Sequence, residues 1–176
     1  SCVQLFSKRQ LGPHAPRDWV ERAPRVIGNA SGDNTRLCSM VCDGEGHMFV
    51  SETAFHRVVK LRLADGAPLC SVGELGSGEG QFRRPSGMCL VGDTLLVCDC
   101  LNARIVALGT DLSWRHAFGQ RGRTSVALQA PVGIAAHADA MFVADRGHHR
   151  VQVFGLYDSA TRARHLEYRR VIGSKG

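Results

Sequence analysis

The segment Met48-Phe-Val-Ser-Glu-Thr-Ala-Phe-His-Arg-Val-Val-Lys-Leu61 sets a pattern that returns twice. It recurs as Leu95-Leu-Val-Cys-Asp-Cys-Leu-Asn-Ala-Arg-Ile-Val-Ala-Leu108 and as Met141-Phe-Val-Ala-Asp-Arg-Gly-His-His-Arg-Val-Gln-Val-Phe154. The acid falls at Glu52, Asp99 and Asp145, and the arginine at Arg57, Arg104 and Arg150. Both series step by 47 (99 − 52, 104 − 57) and then by 46 (145 − 99, 150 − 104). Pro85-Ser-Gly87 and Pro131-Val-Gly133 each begin 14 residues before their Asp (99 − 85, 145 − 131). The same place in the first copy is Cys38-Ser-Met40, without Pro or Gly. A hydrophobic pair followed by Gly recurs as Val26-Ile-Gly28, Ala117-Phe-Gly119 and Val171-Ile-Gly173, with Ser71-Val-Gly73 as a weaker copy. Landmarks that keep one register over a period of this length mark a supersecondary unit stacked on copies of itself.

Each unit reads as four short strands. In the second copy strand a spans 86–91, b 95–98, c 104–108 and d 114–118. The turns between them are Gly92-Asp93, the Asp99–Ala103 loop and Gly109-Thr-Asp111. Strands of ~5 residues with turns every ~10 indicate an all-β protein. A four-stranded unit of ~45 residues, repeated, is a propeller blade. The expected organisation is strands c and d of a blade in residues 1–28, whole blades at 29–73, 74–119 and 120–173, and the start of a further connection at 174–176. Three and a half blades leave the ring incomplete. The expectation is that the remainder of a larger propeller, or a second chain, closes it, because bare strand edges and half-cores are normally covered.

The chain resembles the NHL-repeat family of β-propellers. The resemblance rests on Gly80-Gln-Phe-Arg-Arg-Pro-Ser-Gly-Met88 with Leu96-Val-Cys-Asp99 and Asn102-Ala-Arg-Ile105. It rests equally on Pro131-Val-Gly-Ile-Ala135 with Phe142-Val-Ala-Asp145 and His148-His-Arg-Val-Gln-Val-Phe154. The first blade departs from the pattern, with Phe55 where Asn102 and His148 stand. The resemblance implies a six-bladed ring. Its functional implications diverge: RNA-binding or substrate-recruiting modules of tripartite-motif ubiquitin ligases, the metal-dependent lyase domain of amidating enzymes, or plain scaffolds. A shared fold does not choose among them.

Composition narrows the field. Of 176 residues 44% are hydrophobic and 22% charged, which excludes wholesale disorder. No apolar run approaches ~18 residues, so no membrane helix or membrane partner is expected. Seven cysteines, an odd number set mostly in apolar runs, read as buried free thiols of a reducing, cytoplasmic compartment. The net charge is 22 − 16 = +6. Residues 1–25 and 155–176 each contribute 5 − 2 = +3, and residues 26–154 balance at 12 − 12. The excess therefore sits in two c–d connections on opposite sides of a ring, which weakens the case for one nucleic-acid face.

The acid/Arg pairs Glu52–Arg57, Asp99–Arg104 and Asp145–Arg150 recur in every blade. That recurrence fits architecture, because a site is needed once and a cross-strand ion pair fixes register in each hairpin. Gly76-Ser-Gly-Glu-Gly80 leads to Pro85 and a strand rather than a helix, so it is no phosphate cradle. No His-x-x-x-His, Cys-x-x-Cys or Gly-x-Ser-x-Gly occurs, and no catalytic residue, metal ligand or cofactor is assigned. The d–a and b–c loops leave a propeller at the same end. They gather Arg36, Phe55, Arg83, Arg84, Leu101, Arg121, Arg123, His148 and His149. Arginines with exposed aromatics suit a peptide or an RNA strand. The expected function is a non-enzymatic interaction module that binds a protein partner through this loop face. The alternatives are single-stranded RNA or ligase-substrate recruitment, and an amidating-lyase-like metalloenzyme.

Overall fold

The computed structural model describes residues 3–5, 25–27, 37–156 and 166–173. The fold is an all-β propeller: three four-stranded antiparallel blades in an open, incomplete ring, beside a two-stranded ribbon. The ribbon pairs β1 (Val3–Leu5) with β2 (Arg25–Ile27). The first blade holds β3 (Leu37–Cys42), β4 (His47–Glu52), β5 (Arg57–Arg62) and β6 (Pro68–Val72). The second holds β7 (Pro85–Val91), β8 (Thr94–Asp99), β9 (Arg104–Gly109) and β10 (Trp114–Phe118). The third holds β11 (Pro131–His137), β12 (Ala140–Asp145), β13 (Arg150–Leu156) and β14 (Leu166–Ile172). Every blade runs as a meander in chain order, each strand bonded to the next.

The central blade shows why its sequence lacks the alternation of a half-exposed sheet. Every residue of β8 is buried, because both faces are covered. Leu95, Val97, Val106 and Leu108 pack with Phe49, Val58 and Phe82 toward the first blade. Leu96, Cys98, Ile105 and Ala107 pack with Met141, Val143, Leu128 and Phe154 toward the third. Each Leu, Val, Ile, Met or Phe among them contributes roughly 1.5–3 kcal/mol when fully buried, so these two seams hold the blades together.

Near the axis the seams are polar and close. Ser51 Oγ donates to the Ser86 carbonyl at 2.8 Å, and Thr53 Oγ1 to the Pro85 carbonyl at 2.7 Å. Ser86 Oγ donates in turn to the Pro131 carbonyl at 3.3 Å. Gly87 is obligatory here, since a β-carbon would lie 2.6 Å from the Val132 carbonyl oxygen and 2.7 Å from Gly133 Cα.

The cysteines depart from expectation. Cys98 and Cys100 are buried and Cys89 is half-buried, but Cys38, Cys42 and Cys70 are exposed. Cys38 and Cys42 lie on β3, whose residues alternate between half-buried and exposed, and Cys70 lies on β6, the outer strand of its blade. An apolar run signals burial only where both faces of a strand are covered. Burial pushes the Cys89 thiol up to about 11 and raises Cys98 as well.

Candidate functional site

The register sets each acid opposite its arginine: Glu52 with Arg57, Asp99 with Arg104, Asp145 with Arg150. A tight turn joins them, and the residue before each arginine is left-handed, with φ of 57° at His56, 55° at Ala103 and 53° at His149. In the second and third blades that kink turns the arginine back onto the d–a loop feeding its own blade. Arg104 Nε donates to Asp99 Oδ2 at 2.8 Å, while its terminal nitrogens donate to the carbonyls of Ser77, Gly78 and Gln81. Asp99 Oδ1 accepts the Arg83 backbone N–H at 2.7 Å, and Asn102 Nδ2 reaches both Asp99 Oδ2 and the Gly76 carbonyl at 2.8 Å. One buried carboxylate thus organises a whole loop.

The third blade repeats this brace with altered parts. Asp145 Oδ1 accepts the backbone N–H groups of Gln129 and Ala130, both at 3.0 Å. His148 takes the place of Asn102, and its Nδ1 lies 2.6 Å from Asp145 Oδ2. Burial alone raises the Asp145 carboxyl, but the Ala130 and Gln129 N–H groups and the His148 ring outweigh it and hold the group below its ordinary value. An ionised carboxylate only accepts, so His148 Nδ1 carries the proton and Nε2 is left for another partner. Arg150 Nε is displaced to 3.7 Å from Asp145 Oδ2, while its guanidinium still donates to the carbonyls of Thr124 and Ala127. Gln152, buried where the second blade has Val106, donates to the Ala127 carbonyl and to Asp145 Oδ2. The brace of the third blade thus keeps the repeated carboxylate and arginine but changes the side chains around them.

A cleft of about 530 Å³ opens at the seam between the second and third blades, lined by Arg121, Gly122, Arg123, Gln129 and His148. Its walls are the d–a loop after β10 and the b–c turn after β12. Arg121 is anchored by donation from Nη2 to the Leu101 carbonyl at 3.0 Å. Gln129 lies across Gly147, where a β-carbon would come within 2.6 Å of Gln129 Cβ.

The structure brings Arg121, Arg123 and His148 together around this cleft. His149 is exposed in the same turn. Arg83 and Arg84 stand in the preceding d–a loop, and the Arg84 backbone N–H donates to His56 Nδ1 at 3.0 Å. Phe55 is apart, 42% exposed on the first blade, with the Arg57 guanidinium 5.2 Å from its ring centre. Arg36 and the two basic c–d connections lie outside the described residues, apart from their ends. Sequence reading missed Gln129, Gly122 and Arg146. All three belong to loops that the register places at this end.

Charge is sorted between the two ends. Among the described residues, Arg83, Arg84, Arg121, Arg123 and Arg146, all at the loop end, have no carboxylate within ion-pair distance. At the other end Arg62 pairs with Asp65, Arg115 with Asp93 and Arg169 with Asp139. That end also carries the one described cluster of metal-ligating type, Asp43, Glu45 and His47. Its bonds are internal: Asp43 Oδ1 accepts the Glu45 and His47 N–H groups, and Oδ2 meets His47 Nδ1.

No known protein-family profile matches the chain. It is 29% identical over 97 residues to Protein brain tumor of Drosophila melanogaster, a match that spans 53% of this chain and 9% of that protein. Its fold matches U3-55K with a TM-score of 0.61 at 16% identity, covering 84% of this chain and 41% of that one. It matches a streptogramin B lyase at 0.59 and 14%, covering 83% and 44%. Kuenenia stuttgartiensis hydrazine synthase matches at 0.57 and 14%, covering 82% and 39%. These likenesses support an NHL-type propeller fold. The chain spans less than half the length of each of these proteins. Among the described residues, no helix is long and apolar enough to cross a membrane.

Proposed function

We propose that this chain is a non-enzymatic propeller module that binds a protein partner through the face made by its d–a and b–c loops. The observation that carries the reading is the set of five arginines at that end without carboxylate partners, beside Arg62, Arg115 and Arg169 at the opposite end, each of which is paired. An unneutralised guanidinium on a rigid platform can form new charge-assisted bonds without first breaking an ion pair. Half-exposed Phe55 and exposed Leu75, at 42% and 62%, add apolar surface to the same end.

The test compares variants at the two ends. Arg84→Glu and Phe55→Ser are expected to abolish capture of a binding protein from extract, while Arg115→Glu at the far end leaves it intact. Capture insensitive to all three substitutions would overturn the reading. Capture that disappears after ribonuclease treatment would assign the face to RNA instead.

A further inference from the structure

We infer that the cleft between the second and third blades is a receptor for one phosphate monoester displayed on a peptide side chain. The inference rests on the loop face being the binding face, and it names what one part of that face recognises. Four side chains line the cleft, and none is acidic: Arg121, Arg123, Gln129 and His148. Arg123 has no partner among the described residues. Arg121 spends one nitrogen on the Leu101 carbonyl and keeps the rest of its fork. His148 is held by Asp145 through Nδ1, so its orientation is fixed from behind, and in the imidazolium form its Nε2–H donates to a ligand oxygen. Gln129 is fixed by its lie across Gly147. Arg121 and His148 are thus held from behind, while Arg123 stands exposed at the rim.

Charge and geometry favour a phosphate monoester. Two unneutralised guanidinium groups match a ligand that carries about −1.5 to −2 at pH 7 and offers three strong acceptor oxygens. A carboxylate offers two oxygens and one charge, which leaves donors of this cleft unused.

The flanking loop shows that the recognition is local. The loops 74–82 and 120–128 share one fold, with Leu75 bridged to Phe82 as Arg121 is to Leu128. The Phe82 N–H donates to the Glu74 carbonyl as the Leu128 N–H donates to the Gln120 carbonyl. At matching positions the first loop has Glu74, Leu75, Ser77 and Glu79, and the second has Gln120, Arg121, Arg123 and Ser125. Glu74 and Glu79 offset Arg83 and Arg84 on the neighbouring loop, so it adds no net positive charge to carry a continuous polyanion, and no Phe, Tyr or Trp lines the cleft to stack a base. A single phosphate on a peptide meets neither obstacle.

The experiment titrates the full chain, with histidines labelled with nitrogen-15, with an acetylated Gly-phosphoserine-Gly amide. The matching Ser and Glu peptides and a uridine hexanucleotide serve as comparisons. The phosphopeptide is expected to shift the His148 ring signals saturably and to bind at least tenfold tighter than the Glu or Ser peptide. Arg121→Gln and Arg123→Gln are each expected to weaken it tenfold or more, with unfolding midpoints unchanged, while Arg115→Gln changes nothing. No saturable His148 shift, equal binding of the Glu peptide, or tighter binding of the hexanucleotide would each overturn the inference. If the phosphopeptide fails while capture stays sensitive to Arg84→Glu, the pocket is wrong and the partner-binding face stands. If it binds while capture ignores the loop face, the pocket stands and the wider reading falls.

Discussion

Replacing Asp99 by alanine tests whether the repeated acid is a brace of the blade. Asp99 is fully buried, and its partner Arg104 has only 14% of its side chain exposed. The substitution removes acceptors for the Arg83 N–H, Asn102 Nδ2 and Arg104 Nε at once. Breaking a buried charge pair from one side costs ~3–5 kcal/mol. Arg104 keeps the Ser77, Gly78 and Gln81 carbonyls, so the low end applies, ~3 kcal/mol. At ~2–4 °C per kcal/mol for a chain of this size, the melting temperature should fall by ~6–12 °C. Glu52→Ala is the internal control. It breaks the same repeated pair, but the Arg57 side chain is 42% exposed, so solvent screening limits the loss to ~0–1 kcal/mol. Both variants would be followed by calorimetry and urea unfolding, with an Asp99→Ala/Arg104→Ala double-mutant cycle to isolate the pair. A cycle coupling within about 0.5 kcal/mol of zero, or equal losses from Asp99→Ala and Glu52→Ala, would refute the brace. An unchanged melting temperature with lost partner binding would make Asp99 a binding residue instead.

Gly87→Ala should cost ~1–3 kcal/mol by driving β7 from β11 near the axis, read as a lower urea midpoint; no change would mean the two strands do not meet there. Asp145 has a depressed carboxyl, so its contribution to stability is complete above the unfolded value of ~3.9 and is lost as pH falls through the folded value. Asp145→Asn should therefore flatten the acid limb of a stability–pH curve, and an equally steep limb in the variant would contradict the hydrogen-bond account. Native protein treated with a maleimide should be labelled at exposed Cys38 and Cys70 and not at Cys98, whose thiol burial holds protonated; peptide mass mapping that finds Cys98 labelled without unfolding would disprove the packing of that seam.

The repeat made the blades legible because the seams need the same residues each time. In the second blade the strands expected at 86–91, 95–98, 104–108 and 114–118 differ from those observed by at most one residue at either end. The left-handed residue that turns each arginine inward was not legible. Histidine tolerates positive φ better than most residues but alanine does not, so residue type does not mark the turn at His56, Ala103 and His149 alike, and the bonds on either side impose it. Burial of the cysteines was misread because local composition does not tell a strand covered on both faces from one covered on a single face. The charge count over residues 26–154 came to zero, and that sum hid the arrangement. Asp43, Glu45, Asp65, Asp93, Asp111 and Asp139 all fall in a–b or c–d turns, while the unpaired Arg83, Arg84, Arg121, Arg123 and Arg146 fall in d–a and b–c loops. The sorting follows from the register once strands are assigned, because alternate connections in a meander leave by opposite ends.

A repeat protein also separates support from recognition in a way that its own sequence displays. The carboxylate at the end of strand b and the arginine at the start of strand c tie down the described d–a loops over the second and third blades. Other positions change between copies: Leu75 becomes Arg121, Ser77 becomes Arg123, Val106 becomes Gln152, and Asn102 becomes His148, which keeps the bond to the repeated carboxylate. Three of these changes, to Arg121, Arg123 and Gln152, add polarity or charge at one seam. Gln152 costs desolvation in a position the other blade fills with an apolar side chain, and its amide braces Asp145 and the loop that bears Arg121 and Arg123. A core residue that gives up apolar burial to hold a surface loop makes sense when that loop must keep a shape. The two arginines on it have no structural task comparable to Arg104 or Arg150, so the shape being kept is that of the cleft.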